Sequence, residues 1–485
     1  MVIKKKYDII IIGAGVVGTI TARELSRYDL DILVIEKGAD VCSGTSKANS
    51  AIIHAGYAAP MGSLKGELSH RGNKAYLKLC DTLDVPFKRI GSFVAAFDTE
   101  QEQTLDALLK NGIDRDIEGI EIITGEEARR LEPGLSDKVR AVLHAPTAGI
   151  INPFILTFAL YENSRQNAVH YHLGTEVTGI TRTKGAVTGV VTASGEYKAD
   201  FVINAAGVYS DTISEMAGEG GVNLNIVKGE YFVSDIAMGL TTSRIVFPAP
   251  SKLSKGILVT PTTDGNILFG PTAHVAESKE DTATTQEGLA EIMEKAPRLF
   301  PDINFRGMIT QYAGLRAKDK SDDFIIAASK KIKGFINAAG IQSPGLTAAP
   351  AIADRLLEIV KEEGLSLKKG ETFYPARKGA LRIIELSPHE IAAAIKKDPA
   401  YGHIVCRCES VSEGEVIDAI NEGATTTDGV KFRRRAGSGR CQGGFCGPRV
   451  VDILSRELDM PMEAVTKNGG ESKILLGRMN KGWHK

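Results

Sequence analysis

The sequence predicts an α/β fold, and three observations carry that prediction. An apolar strand at residues 8–12 runs directly into Gly13-Ala14-Gly15-Val16-Val17-Gly18 and then into a helical pattern at 19–26. Two further apolar runs, Phe201-Val202-Ile203 and Phe335-Ile336, end in the same way far along the chain, at Ala205-Ala206-Gly207 and Ala338-Ala339-Gly340. Between these endings, residues 222–324 hold many short β-like runs punctuated by Pro and Gly. One lobe assembled from separated segments, with a lobe dominated by an antiparallel sheet inserted into it, accounts for that order.

The first segment has the chemistry of a dinucleotide site. Gly13 permits a tight turn, Gly15 lets backbone approach a pyrophosphate, and Gly18 lets the helix pack closely on the strand. The helix start adds free N–H groups and the positive end of a dipole. A second strand, 31–35, ends in Glu36, about 20 residues past the motif, where a carboxylate binds a ribose 2′-OH and repels a 2′-phosphate. The lobe is therefore read as Rossmann-like. After it, Gly44-Thr45-Ser46-Lys47-Ala48-Asn49-Ser50 is a donor-rich loop suited to phosphate, followed by Ala51-Ile52-Ile53 and His54-Ala55-Gly56-Tyr57.

Helices are predicted at 64–83, near 100–109, at 126–131, 152–167 and 346–360, and a strand at 87–97. Residues 175–183 and 186–193 read as a hairpin, and 229–233, 256–261 and 266–270 as strands of the inserted lobe. The nucleotide lobe is assigned to 1–85, 150–215 and 325–365, and the substrate lobe to 86–149 and 216–324. A charged, Pro-containing connector follows at 366–402, then a small cysteine-bearing domain at 403–461 and a tail at 462–485.

A chain of 485 residues has room for two or three domains. With 59 Lys and Arg against 60 Asp and Glu, nothing in the charge balance points to nucleic acid or a membrane surface. No apolar run approaches the ~18 residues of a membrane span, so membrane association is expected only through a partner. Lys4-Lys5-Lys6 precede an apolar run without a cleavage site, and the reading is a cytoplasmic protein. Nothing in the sequence excludes an oligomer.

Four of the six cysteines crowd together: Cys406-x-Cys408, then 32 residues, then Cys441-x4-Cys446, with Gly437, Gly439, Gly443, Gly444 and Gly447 around them. This is metal-site spacing and fits a reducing compartment. Structural zinc is one reading, but zinc knuckles usually read C-x2-C or wider, so the C-x-C pair lowers its share. The tract Lys431-Phe432-Arg433-Arg434-Arg435 is expected to be a solvated face, or to tune the cluster or dock an acidic partner. Cys42 and Cys80 are expected to be packing residues.

Taken together, these motifs resemble the FAD-dependent oxidoreductases of the D-amino-acid oxidase and glycerol-3-phosphate dehydrogenase group, over residues 5–365. The resemblance implies FAD with its pyrophosphate on Gly13, Gly15 and Gly18 and its ribose on Glu36 beside Lys37. It adds contacts from Thr45, Ser46, Ser50 and Val177, and from the strand ends Ala206-Gly207 and Gly340-Ile341-Gln342. The helix opened by Ser343-Pro344-Gly345-Leu346-Thr347 would aim its N-terminus, with Leu346 and Thr347, at the flavin pyrimidine edge, where its dipole stabilises an anionic reduced ring. Three local motifs, Ser50-Ala51-Ile52-Ile53-His54-Ala55-Gly56, Gly229-Glu230-Tyr231-Phe232 and Ala313-Gly314-Leu315-Arg316, are similar to L-2-hydroxyglutarate dehydrogenases. Their His and Arg also have analogues in glycerol-3-phosphate dehydrogenases.

Both groups oxidise a secondary alcohol beside an anionic group. His54 is the expected base for the hydroxyl proton, and Arg316 the planar fork for carboxylate or phosphate. In one departure, the glycerol-3-phosphate enzymes commonly carry a Lys just after the glycines of the last motif, and residues 340–353 here contain none.

The cysteine domain resembles the [2Fe-2S] domain of bacterioferritin-associated ferredoxins, which implies Cys406, Cys408, Cys441 and Cys446 as cluster ligands. Such a fusion implies that hydride reaches FAD and that electrons leave singly toward an electron-accepting flavoprotein or electron-transfer subunit. The expected activity is a dehydrogenase of a small anionic alcohol, sn-glycerol 3-phosphate ahead of L-2-hydroxyglutarate. An amino-acid dehydrogenase subunit of proline or opine type, and a non-catalytic redox carrier or sensor, are the alternatives.

Overall fold

The computed structural model describes residues 6–250 and 256–477; Lys4, Lys5 and residues 478–485 of the expected tail lie outside the described residues. The first sheet grows from the strand Lys6–Ile12. Ile9 and Ile11 point into one core with Ala22, Leu25 and Ile352, while Ile10 and Ile12 point into another with Val190, Tyr197 and Ile213. A strand covered on both faces needs a continuous apolar run, which is what residues 9–12 supply. Its parallel partners are Ile32–Ile35 and the second half of Gly195–Asn204. His170–His172 extends the sheet on one side; Phe335–Ala339 and then Ile325–Ala328 extend it on the other. Three separated stretches thus build one sheet. Buried Asn204 and Asn337 tie two of its strand ends together, Nδ2 to Oδ1 at 2.8 Å.

The second sheet has nine strands, with Leu224–Ser234 paired along its length to Met308–Asp319. Its pairs are antiparallel except Ser92–Ala96 with Ile245–Pro248, which run parallel, as two strands not joined by a hairpin are free to do. The sheet is therefore mixed. The stretch 87–97, expected as one strand, is two. Gly91, at φ +74, turns the chain so that Ser92–Ala96 joins the nine-stranded sheet. Phe87–Arg89 instead joins a small sheet with Ile52–Ile53 and Gly149–Ile151.

Residues expected to be a connector lie against the nucleotide lobe. Arg23 donates to the Pro375 carbonyl at 3.0 Å, Asn163 to that of Tyr374 at 3.0 Å, and Arg377 pairs with Glu162 at 2.5 Å. The helix Pro388–Lys397 follows. The C-terminal unit is a short hairpin, Ile404–Cys406 with Val411–Ser412, and three helices, Glu413–Asn421, Thr427–Arg434 and Gly447–Glu457. Its core of Val405, Val416, Val430, Val450 and Leu454 also contains Val465, so packing continues past the expected boundary at 461.

The basic tract departs from the solvated face the sequence suggested. Phe432 stacks on Phe154 of the nucleotide lobe, centroids 4.7 Å apart and 9° between planes. Arg433, with its side chain only 1% exposed, forms a two-pronged ion pair with Asp40 and lies over the Phe158 ring. Arg434 pairs with Glu422 at 2.5 Å, and Arg435 bridges Glu409 of the cysteine unit (2.5 Å) to Asp264 of the second lobe (3.0 Å). Guanidinium is weakly hydrated and planar, so it enters such interfaces where Lys would not. Arg433→Ala would leave Asp40 without its buried partner. It is expected to cost about 3–5 kcal/mol in thermal unfolding and to loosen the helix Thr427–Arg434 from the nucleotide lobe, opening that junction to proteolysis. An unchanged unfolding temperature with unchanged proteolysis would refute the clamp.

Candidate active site

Gly13 sits at φ +105, where a Cβ would fall on the Ala205 carbonyl, and a Cβ at Gly18 would fall on the Gly13 carbonyl. A side chain at Gly13 would strike the strand end at Ala205, and one at Gly18 would push the helix Val16–Leu25 off the sheet. Gly15 begins that helix without a side-chain cap; the Val16 N–H donates to Ser46 Oγ at 2.9 Å. Across the turn Glu36 accepts the Ala14 N–H (2.8 Å) and the Gly38 N–H (2.7 Å). Burial raises its carboxyl above the usual range, and these two N–H groups pull against that shift.

These residues open one cavity of about 850 Å³, within the range of cofactor and ligand sites. It is lined by Gly13, Gly15, Glu36, Lys37, Thr45, Ser46, Ser50, His54, Val177, Ala206, Gly207, Arg316, Ile341, Gln342 and Leu346. Three expected contacts, Gly18, Gly340 and Thr347, are not in its wall. Gly18 packs helix on strand, and Gly340, at φ +64, lies close to Asp319 and Asp323. Thr347 is fully buried; its hydroxyl accepts the His54 backbone N–H at 2.9 Å and faces the Ile52 carbonyl at 3.3 Å.

The helix Gly345–Glu362 opens on the cavity with Ser343, Pro344, Gly345 and Leu346. Pro350, inside this helix, supplies no N–H to the Leu346 carbonyl, and the buried Tyr76 hydroxyl donates there instead. The first turn is thus locked beside the cavity.

His54 leaves the small three-stranded sheet just after Ile52–Ile53. Its carbonyl accepts from Asn73 at 2.9 Å, and its ring stacks on Phe247 at 5.8 Å. With Thr347 holding the N–H, both peptide groups and the ring face are fixed. Arg316 projects from Met308–Asp319 and donates to the Thr272 carbonyl at 3.2 Å. Gly229 on the paired strand makes room, since a Cβ there would strike the guanidinium. Ser50 bonds the Tyr231 hydroxyl at 2.9 Å, and Tyr231 stacks on Tyr312 at 4.6 Å.

Sequence reading missed Lys65 and Lys318, which also line the cavity. Lys65 stands in the first turn of Leu64–Leu83, where a cation opposes the helix dipole. Asp323 offsets this by accepting the N–H of Leu64 and Lys65, both at 2.7 Å, and Asp322 pairs with the Lys65 and Lys318 ammonium groups at 3.1 and 3.3 Å. A Lys in the first turn of the predicted helix, just after Gly62-Ser63, was the available signal.

Cys42 and Cys80 are buried, and burial pushes both thiols up to about 12, as inert packing requires. The other four cysteines meet in two pairs. Cys408 and Cys441 lie 3.6 Å apart, and Cys446 is hydrogen-bonded to Cys406. Cys406 is held below the ordinary thiol range by the Cys446 bond, and also receives the N–H groups of Gly437 and Glu409. Cys441 is lowered by the Phe445 N–H, with the Gly443 N–H adding to it. Four sulfurs in two pairs, met by backbone N–H groups from a glycine-rich loop, fit a two-iron cluster. Among the described residues no three His, Cys, Asp or Glu side chains converge as a single metal ion would need.

Residues 8–359 match the family of FAD-dependent oxidoreductases, and residues 404–456 match the BFD-like [2Fe-2S] binding domain. The chain belongs to the FAD-dependent oxidoreductase family, is an enzyme of that kind, and has FAD and a [2Fe-2S] cluster as its cofactors. It is 45% identical over 473 residues to a glycerol 3-phosphate dehydrogenase of Caloramator mitchellensis, covering 97% of this chain and 98% of that one. The solved structure of dithionite-reduced L-alpha-glycerophosphate oxidase from Mycoplasma pneumoniae with FAD bound superposes with a TM-score of 0.74 at 30% identity. It covers 78% of this chain and all of that one. A mitochondrial L-2-hydroxyglutarate dehydrogenase of Arabidopsis thaliana is 27% identical, covering 73% of this chain and 83% of its own length. No described helix is long and apolar enough to cross a membrane.

Proposed function

We propose that this enzyme oxidises sn-glycerol 3-phosphate to dihydroxyacetone phosphate and passes the electrons through its [2Fe-2S] cluster to a protein partner. The observation that carries the substrate is the 45% identity, over both the flavin and the cysteine segments, to a glycerol 3-phosphate dehydrogenase. The cavity chemistry supports it. FAD, when bound, takes up the hydride from the secondary carbon. His54 removes the hydroxyl proton, its ring held by Phe247 and its backbone by Thr347 and Asn73. Arg316 holds the anionic group and so fixes which carbon faces the flavin. Lys65 and Lys318 line the same cavity and share Asp322 as their counter-ion, which leaves this group one net positive charge.

The local motifs around His54, Gly229 and Arg316 favour a second reading, a 2-hydroxy acid such as L-2-hydroxyglutarate. Anaerobic mixing with each compound, followed by flavin absorbance, separates the two. Bleaching by glycerol 3-phosphate alone is expected, and bleaching by L-2-hydroxyglutarate alone would overturn the assignment. Arg316→Ala is expected to lower kcat/KM by about 2–4 kcal/mol with FAD content intact, the cost of losing a charge-assisted contact to substrate. Unchanged kinetics would remove Arg316 from the substrate site.

A further inference from the structure

With the basic tract engaged inside the chain, the charge left around the cluster comes from other residues. Cys406 and Cys446 are buried, Cys441 is half-buried and Cys408 is exposed, so the Cys408–Cys441 pair is the outer edge of the site. The two segments that carry the cysteines, 403–410 and 437–449, hold Arg407, Arg440 and, in the first turn of the helix Gly447–Glu457, Arg449, all exposed. Their one carboxylate, Glu409, is turned inward to Arg435, its side chain 10% exposed. Arg440 is matched by Asp235 of the second lobe at 2.5 Å. Arg449 donates to the Ile404 carbonyl at 3.2 Å but has no carboxylate partner, and Arg407 has no ion pair, among the described residues.

Between Cys441 and Cys446, the Phe445 ring is 84% exposed although its own N–H is bonded to the Cys441 sulfur. Glycines precede and follow this segment at 443, 444 and 447, so the ring stands clear of other large side chains in its loop. Ile404, 39% exposed, begins the strand whose carbonyl Arg449 reaches. A lone exposed apolar side chain is ordinary. Here it is next to a cluster ligand and accompanied by two arginines that lack carboxylate partners.

Resting on the reading that electrons leave through the cluster, we propose that this face docks an acidic one-electron carrier protein, with Phe445 at its centre and Arg407 and Arg449 as its charged rim. Arginines of one sign steer an acidic surface into encounter, while a small apolar centre holds the two redox edges together. A second copy of this chain would bring its own arginines against these, which disfavours it as the occupant. In each docking event the carrier would gain one electron, supplied by the cluster that Cys406, Cys408, Cys441 and Cys446 would hold; no atom is transferred, and two events would complete each two-electron oxidation.

The test uses full-length holoenzyme reduced by its substrate under anaerobic conditions. Two acceptors share one fold and haem and differ in charge: native cytochrome c, which is basic, and succinylated cytochrome c, which is acidic. The acidic form is expected to be reduced about tenfold faster or more at low ionic strength, with the advantage fading as salt rises. Arg407→Glu with Arg449→Glu should reverse that preference, and Phe445→Ala should slow the acidic form, while substrate bleaches the flavin at the wild-type rate in each variant. Equal rates for the two cytochromes, preference for the native form, or indifference to charge reversal would overturn the proposal. Cys441→Ser distinguishes the two levels of the argument. If it reduces both cytochromes like wild type, the electrons leave from FAD and the underlying reading fails. If it stops reduction while the arginine variant changes nothing, only the docking face fails.

Discussion

His54→Ala should slow reduction of the flavin by substrate about 100-fold to 10,000-fold, the usual cost of losing a general base, while changing substrate affinity little. The argument rests on position. His54 lies in the wall of the same cavity as Arg316, Gly13 and Gly15, so the proposed base, the proposed anion-binding fork and the glycine turn share one enclosure. Its ring is stacked and its backbone is bonded on both sides, so the imidazole is presented in one orientation. Alanine removes the base but leaves those backbone bonds, and FAD content should be unchanged. The rate should also lose its dependence on deprotonation at the acid side of the pH profile. Stopped-flow reduction near the wild-type rate, with that dependence retained, would make His54 structural and place the base elsewhere.

Much of this site was legible because its determinants are local in sequence. Gly13, Gly15 and Gly18 announce a phosphate turn whichever residues surround them, and Glu36 follows at the length of one helix and one strand. The split lobe could be read from three strand endings, Gly13 to Gly18, Ala205 to Gly207 and Ala339 to Gly340, since each is a buried run stopping at Gly. What the sequence did not yield depends on chain segments meeting from a distance. Lys431 to Arg435 looks like a solvated charge run until Asp40, Glu422, Asp264 and Glu409, up to several hundred residues away, are brought to it. Thr347 looks like part of a helix start facing the cofactor, and only the fold reveals that its hydroxyl turns to His54. The parallel pairing of Ser92–Ala96 with Ile245–Pro248 is likewise invisible to periodicity, which assigns strands but not their neighbours.

Replacing Cys441 with Ser should divide the reaction into its two halves. Cys441 contacts Cys408 on the outer side of the cysteine site and is met by the N–H groups of Phe445 and Gly443. A serine oxygen is a harder and less readily ionised ligand, so iron and acid-labile sulfide, each expected at about two per wild-type chain, should fall, or the cluster's spectrum should change. The cavity with His54 and Arg316 lies in the other part of the chain and does not include Cys441. Substrate should therefore still bleach the flavin in the variant at the wild-type rate under anaerobic conditions. Steady-state delivery of electrons to a protein acceptor is what should collapse, because the two electrons held by the flavin would lack a carrier that releases them singly. Zinc at one per chain, with no iron, in wild-type protein prepared anaerobically would contradict the cluster itself. Equal steady-state turnover of wild type and Cys441→Ser with that acceptor would show that electrons depart directly from FAD.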